Sequence, residues 1–174
     1  MKLVRFAAYL SLLLLTQCSS CKYEDPAPTL PTETQRGAYT FGCLVNGKPY
    51  LASGINYTNG DWQTVSRLVI NAGARNQKED FNVCLLITGL LNSNTEYILQ
   101  PQNTGYPPNS TTGFSVFCNT EQCEYDGTRI KTGSLMLTKF DGEARIAAGR
   151  FAFTLYEPGC DTLRITDGRF DVRF

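Results

Sequence analysis

Gly149-Arg150-Phe151-Ala152-Phe153-Thr154-Leu155-Tyr156, followed by Leu163-Arg164-Ile165-Thr166-Asp167-Gly168-Arg169-Phe170-Asp171-Val172-Arg173-Phe174, decides how the whole chain reads. In the first run Phe151, Phe153 and Leu155 alternate with Arg150, Ala152 and Thr154. A period of two is the mark of a strand with one face buried. Ile146 and Ala148 fall out of step with that set, and Gly149 stands at the break, which predicts a bulge. In the second run Leu163 and Ile165 share a face. Phe170, Val172 and Phe174 rejoin it only if one residue is inserted at Asp167-Gly168, a second predicted bulge. Upstream, Leu135 and Leu137 mark a strand over Gly133–Phe140. Asp141-Gly142 then predicts a tight type I′ hairpin, because both central positions of that turn need positive φ. Glu157-Pro158-Gly159 supplies the next turn. The expectation is a three-stranded C-terminal meander, coiled by its bulges, within an all-β antiparallel sandwich or small curled barrel.

Working outward, Tyr39–Asn46 alternates with Tyr39, Phe41, Cys43 and Val45 on one face, and Asn46-Gly47 turns it into a partner over Lys48–Ala52. Ser53–Val65 is polar and rich in turn residues, and it holds the sole tryptophan, Trp62. Leu68, Ile70 and Ala72, then Phe81, Val83, Leu85 and Ile87, then Phe114, Val116 and Cys118 each predict a strand. Thr95–Leu99 reads as a short edge strand and Gln100–Thr112 as a loop. No segment after residue 18 carries a helical period, so residues 39–174 are expected to form one all-β domain.

Composition narrows the chemistry. The chain has 174 residues, 42% of them hydrophobic and 11% aromatic, enough for a globular core. It has no histidine, which removes Ser-His-Asp and Cys-His catalysis, histidine-ligated zinc and imidazole proton transfer. Lys2 and Arg5 are the charged residues before Cys18, so 14 basic and 16 acidic residues follow them, net −2. That balance argues against nucleic acid as a partner. No motif calls for a metal or a cofactor.

Residues 1–17 read as a signal peptide, with Lys2 and Arg5 before an apolar run from Phe6 to Leu15. Leu15-Thr16-Gln17-Cys18 resembles the lipobox of bacterial lipoproteins, in which the Cys18 thiol receives diacylglycerol. Gln17 departs from the usual small residue, and Cys21, preceded by Ser20, is the alternative acceptor. Acyl chains at that position give stable membrane anchoring. Residues 18–38 then read as anchor and disordered tether, with Pro26, Pro28 and Pro31 favouring extended chain.

The runs Gly149–Tyr156 and Cys160–Val172 resemble the ending of a family of small Bacteroidota (Cytophagales-type) lipoproteins of unknown function. Thr40-Phe41-Gly42-Cys43-Leu44-Val45-Asn46-Gly47-Lys48-Pro49-Tyr50 resembles the start of their domain. The resemblance implies a lipoprotein of the outer membrane, on the cell surface or the periplasmic face, and brings no activity or catalytic motif. Lys22-Tyr23-Glu24-Asp25 resembles the short signal that sends such proteins to the surface.

Of seven cysteines, Cys118 and Cys123 flank a four-residue turn and are expected to pair, with Cys43–Cys160 the second expected bridge. Cys84 reads as a buried thiol. Trp62, Tyr57 and Tyr106 are the candidate ligand contacts, aromatic residues in loops of a rigid scaffold. Glu121, Glu124 and Asp126 lack calcium-loop spacing, and Asp167, Asp171 and Glu143 are the carboxylates a hydrolase would need. The function expected is a non-catalytic binding or envelope-interaction module for a glycan or a protein. A carboxylate-dependent hydrolase and a lipocalin-like carrier of an apolar ligand are the alternatives.

Overall fold

The computed structural model describes residues 29–55, 57–64, 66–73, 81–100, 113–120, 122–125, 127 and 129–174. It is a sandwich of two antiparallel sheets. The strands are β1 (Thr40–Val45), β2 (Lys48–Ser53), β3 (Thr58–Thr64), β4 (Arg67–Gly73), β5 (Asn82–Thr88), β6 (Thr95–Ile98), β7 (Gly113–Asn119), β8 (Glu124–Tyr125), β9 (Ile130–Asp141), β10 (Ile146–Leu155) and β11 (Leu163–Arg173). The six-stranded sheet has the order β2-β1-β11-β10-β9-β6 and the five-stranded sheet β3-β4-β5-β7-β8. Neither sheet closes on itself, so of the two expected architectures the sandwich is the one formed. The first and last strands pair, β1 against β11, which ties the N-terminal hairpin to the meander.

The meander stands in the centre of the larger sheet, and its bulge at Asp167-Gly168 follows the phase break. At Asp167-Gly168 both neighbours of β11 lose register: Phe151 faces Gly168 while Phe153 faces Ile165, and Gly42 faces Arg169 while Leu44 faces Thr166. Asp167 takes φ of 53°, a left-handed conformation that Asp tolerates better than most residues. Opposite Gly149 the ladder also shifts, but the extra residue is on the partner strand. Ala148 faces Lys139 and Gly149 faces Leu137, so Thr138 is inserted in β9 and Phe140 returns to the core side. β10 itself keeps phase from Ala147 to Leu155. Ile146 and Ala148 are buried on its other face.

Two turns contrast. Asn46 and Gly47 both have positive φ, 48° and 84°, as a type I′ hairpin requires. Asp141-Gly142 does not form one. Residues 142–145 make a longer turn whose positive φ falls on Arg145, and the Asp141 Oδ1 accepts the Ala144 N–H at 2.8 Å. A side-chain acceptor that caps the turn removes the need for two left-handed residues. Ser53–Val65, expected to be turn-rich loop, contains β3. This edge strand pairs only with β4, and Asn59, Asp61 and Gln63 are solvent-facing, so it shows no apolar alternation.

The space between the sheets is filled by side chains, among them Phe41, Tyr97, Leu68, Ile70, Leu85, Ile87, Phe114, Leu135, Leu137 and Ile165, all below 2% exposed. Tyr50 crosses from β2 to donate its hydroxyl proton to the Phe81 carbonyl at 2.9 Å. A single disulfide joins the sheets among the described residues, Cys123–Cys160, with Cα atoms 6.1 Å apart. Neither expected bridge forms. Cys118 pairs in register with Tyr125, not Cys123, and points into the core as a free thiol. The Thr120 N–H donates to the Cys123 carbonyl at 2.8 Å, and this tight turn leaves Cys123 at the loop between β10 and β11. Cys43 is likewise buried and free. Cys84 is only half-buried, on the outer face of β5 beside Val69, Leu86 and Phe117.

The tether reading fails over its last part. Residues 31–37 form a strap across the outer face of the six-stranded sheet. Asp171, itself buried, accepts the Thr34 hydroxyl proton and the N–H groups of Arg36 and Gly37, at 2.5, 3.1 and 2.7 Å. Gly42 on β1 is bare for the same reason: a Cβ there would meet the Pro31 ring at 2.4 Å. An outward Asp on a central strand gives the strap its partner. Residues 1–28, with the leader, Cys18 and Cys21, lie outside the described residues, as does Tyr106.

Candidate functional site

The candidate site is a corner where the β3 edge of the smaller sheet meets the larger one. Thr58, Gly60 and Trp62 share the face of β3 turned toward β11. A Cβ on Gly60 would lie 2.9 Å from Val172 Cγ2 and 3.1 Å from the Arg173 carbonyl oxygen, so only glycine lets the two backbones approach this closely. Trp62 follows on the same face and reaches the end of the larger sheet. Its ring meets Phe140 edge-on, centroids 5.8 Å apart at 89°, and Phe174 at 5.5 Å and 81°. Phe140 and Phe174 lie parallel, 5.5 Å apart at 8°. Edge-to-face contacts of this kind suit the aromatic quadrupole and fix the indole plane.

Four local features hold the platform. The bulge at Thr138 turns Phe140 inward, and the bulge at Asp167 does the same for Phe174. Ser93 grips the Phe140 backbone, accepting its N–H at 2.8 Å and donating to its carbonyl at 3.3 Å. Gly142 lies under the indole, 3.5 Å from its Cη2 to where a Cβ would stand. The adjoining rim is charged. The Ala144 N–H, and less so nearby Lys139 at 3.6 Å, hold the Asp141 carboxyl below its ordinary range, so it is ionised at neutral pH.

Trp62 remains 37% exposed. A rigid, half-open indole beside charged and main-chain polar groups can stack on the apolar face of a ring and leave that ring's hydroxyls to the rim. Phe140, Gly142 and Phe174 are the members that sequence reading missed. The phase break at Asp167-Gly168 located Phe174 on the core side, but plain alternation from Leu135 and Leu137 puts Phe140 on the opposite face, and nothing in the sequence placed β3 next to either.

The other candidates separate. Tyr57, 36% exposed, precedes β3 and shares none of Trp62's ring contacts. Glu124 is exposed on β8, while Glu121 and Asp126 lie outside the described residues. Among the described residues no three His, Cys, Asp or Glu side chains are grouped to hold a metal. Of the hydrolase carboxylates, Asp171 is buried and engaged by the strap, Asp167 is exposed on its bulge and Glu143 is exposed in the β9–β10 turn. No family model, no curated protein and no solved structure matches the chain. The class that the fold defines is an antiparallel two-sheet β-sandwich.

Proposed function

We propose that this chain is a lipid-anchored, non-catalytic binding module of the bacterial outer membrane that presents the Trp62 corner to a glycan. The observation behind the binding part is the indole itself. Three phenylalanine-to-indole and phenylalanine-to-phenylalanine contacts organise the corner, yet more than a third of the tryptophan is left open. A residue there for packing alone gains most when fully covered. The anchoring part rests on the leader and on Cys18, with Cys21 the alternative. A carrier of apolar ligands needs a hollow interior, and the side chains filling this one do not favour it.

Trp62 is the sole tryptophan, so its emission reports this site without interference. Titration with a panel of bacterial and plant oligosaccharides is expected to quench or shift that emission saturably for at least one of them, with no hydrolysis of the sugar. Trp62→Phe, read by calorimetry, is expected to weaken binding. A panel that leaves the emission flat, or turnover of any member, sinks the reading. For the anchor, Cys18→Ser is expected to release the domain from the membrane fraction. Release only by Cys21→Ser would move the acceptor.

A further inference from the structure

Arg150 and Arg169 stand directly opposite each other on β10 and β11, side chains on the outer face of the larger sheet. Like charges facing across a ladder are destabilising, so nothing in the sheet's own energetics calls for this pair. The strap brings one carboxylate to it. Glu33 Oε2 accepts from both Nε and Nη2 of Arg150, at 2.8 and 2.5 Å. Among the described residues Arg169 receives no carboxylate. Its guanidinium donates to the main-chain carbonyls of Pro31 and Asp167 at 3.3 and 3.4 Å, both long, and among the described residues it has no ion-pair partner. The two arginines line a groove of about 340 Å³ with Glu33, Ser134, Met136 and Asp167. That volume lies at the lower end of small-ligand sites, which run from roughly 300 to 1,000 Å³.

We infer that Arg150 and Arg169 form a recognition site for a small carboxylated ligand of the size of one acidic sugar residue, and that Glu33 of the strap occupies it in the ligand's absence. Guanidinium forks suit carboxylates because two parallel N–H donors match two oxygens. Glu33 satisfies Arg150 through one oxygen only, so an incoming carboxylate that bridges both arginines gains donors that Glu33 leaves unused. Asp167 on the same rim disfavours ligands of high negative charge, which points to a single carboxylate and away from a multiply charged phosphate. The site shares no residue with the Trp62 corner, so it stands or falls independently of the proposed function.

The test is calorimetric titration of the full domain with glucuronate and galacturonate, with their methyl esters and with sodium sulfate. The acids are expected to bind and the esters not to. Arg169→Ala is expected to weaken binding about tenfold or more, the loss of one charge-assisted contact. Glu33→Gln is expected to tighten it, because the internal competitor no longer carries charge. Near-ultraviolet dichroism and resistance of the Arg36 bond to trypsin check that each variant keeps its fold and its strap. Equal binding of acid and ester, undiminished binding by a folded Arg169→Ala, weaker binding by Glu33→Gln with the strap in place, or no binding of either acid to Glu33→Gln at millimolar concentration would each overturn the inference. Sulfate binding as tight as the uronates would also overturn it, by making the pair a general anion site.

Discussion

The smaller sheet has two edges, β3 and β8, and each is fastened to the larger sheet by different chemistry. At β8 the fastening is covalent. Cys123 in the β7–β8 turn bonds Cys160 in the β10–β11 loop, and the Tyr125 hydroxyl donates to the Asp161 carbonyl at 2.6 Å beside it. At β3 the fastening is contact alone: the close approach of Gly60 to β11 and the packing of Trp62 on Phe140 and Phe174. β8 has only two residues and buries little besides Tyr125, so a short edge is held by a bond. β3 has seven and is held by surface. The covalent edge buries its Tyr125, whereas the aromatic edge leaves Trp62 partly open, and the candidate site lies at the second.

The largest way to disturb this balance is to cut the bond. The bridge spans 37 residues, and closing a loop of that length is worth about 3–4 kcal/mol through the unfolded state. The Cys123→Ser/Cys160→Ser variant is expected to melt on the order of 10 °C lower than the oxidised parent. Reductant is expected to lower the parent by the same amount and leave the variant unmoved. Melts that coincide would mean that Tyr125 and the β7–β8 ladder hold this edge unaided.

Next in size is Phe174→Ala at the other edge. Phe174 is 8% exposed and touches both other rings of the corner. Its removal is expected to cost about 3 kcal/mol and to shift the Trp62 emission to the red as the indole loses its backing. Gly60→Ala is expected to cost less, about 1–2 kcal/mol by overpacking, since its new Cβ would meet the Arg173 carbonyl and Phe174 Cβ, each at 3.1 Å. A Gly60→Ala protein with unchanged melt and unchanged emission would show that β3 moves freely on β11, and the platform would lose its rigidity argument.

How far the sequence foretold these edges differs between them. Alternation located the meander, the Asn46-Gly47 turn and the short β6 edge, because each is a strand with one face buried or a turn with a fixed residue demand. The bulge at Asp167 was legible from a phase break alone. β3 was not legible: Thr58-Asn59-Gly60-Asp61-Trp62-Gln63 has no apolar face to count, and its inward positions, the buried Thr58 and the half-buried Gly60, carry no hydrophobic signal. The disulfide was misassigned because a short cysteine spacing gives proximity along the chain but not side-chain direction. The strand register sends Cys118 inward and leaves Cys123 in the turn. The strap escaped composition altogether, since its anchor, Asp171, lies some 134 residues away in sequence and reads as an ordinary outward charge.

The smallest effect discriminates most sharply between a local and a global role for the covalent edge, because labelling reads the order in which parts of the fold open and not the melt as a whole. Burial pushes the Cys43 thiol up to about 12, and burial followed by the neighbouring Cys43 and Cys84 pushes Cys118 well above its ordinary value. At pH 8 a thiol of the first kind is ionised on the order of once in ten thousand, so neither reacts while folded. Cys84 is also raised by burial, but it lies on an outer face and is expected to be alkylated slowly, ahead of both. Mild reduction then frees Cys123 and Cys160. Cys118 lies next to the edge strand they hold, whereas Cys43 sits between β2 and β11 inside the larger sheet. Peptide mapping after reduction is expected to show Cys118 labelled before Cys43, the signature of one edge lifting while the rest stays folded. Simultaneous labelling of the two would mean that losing the bond unfolds the sandwich as a whole, and the two edges would then be parts of one cooperative unit.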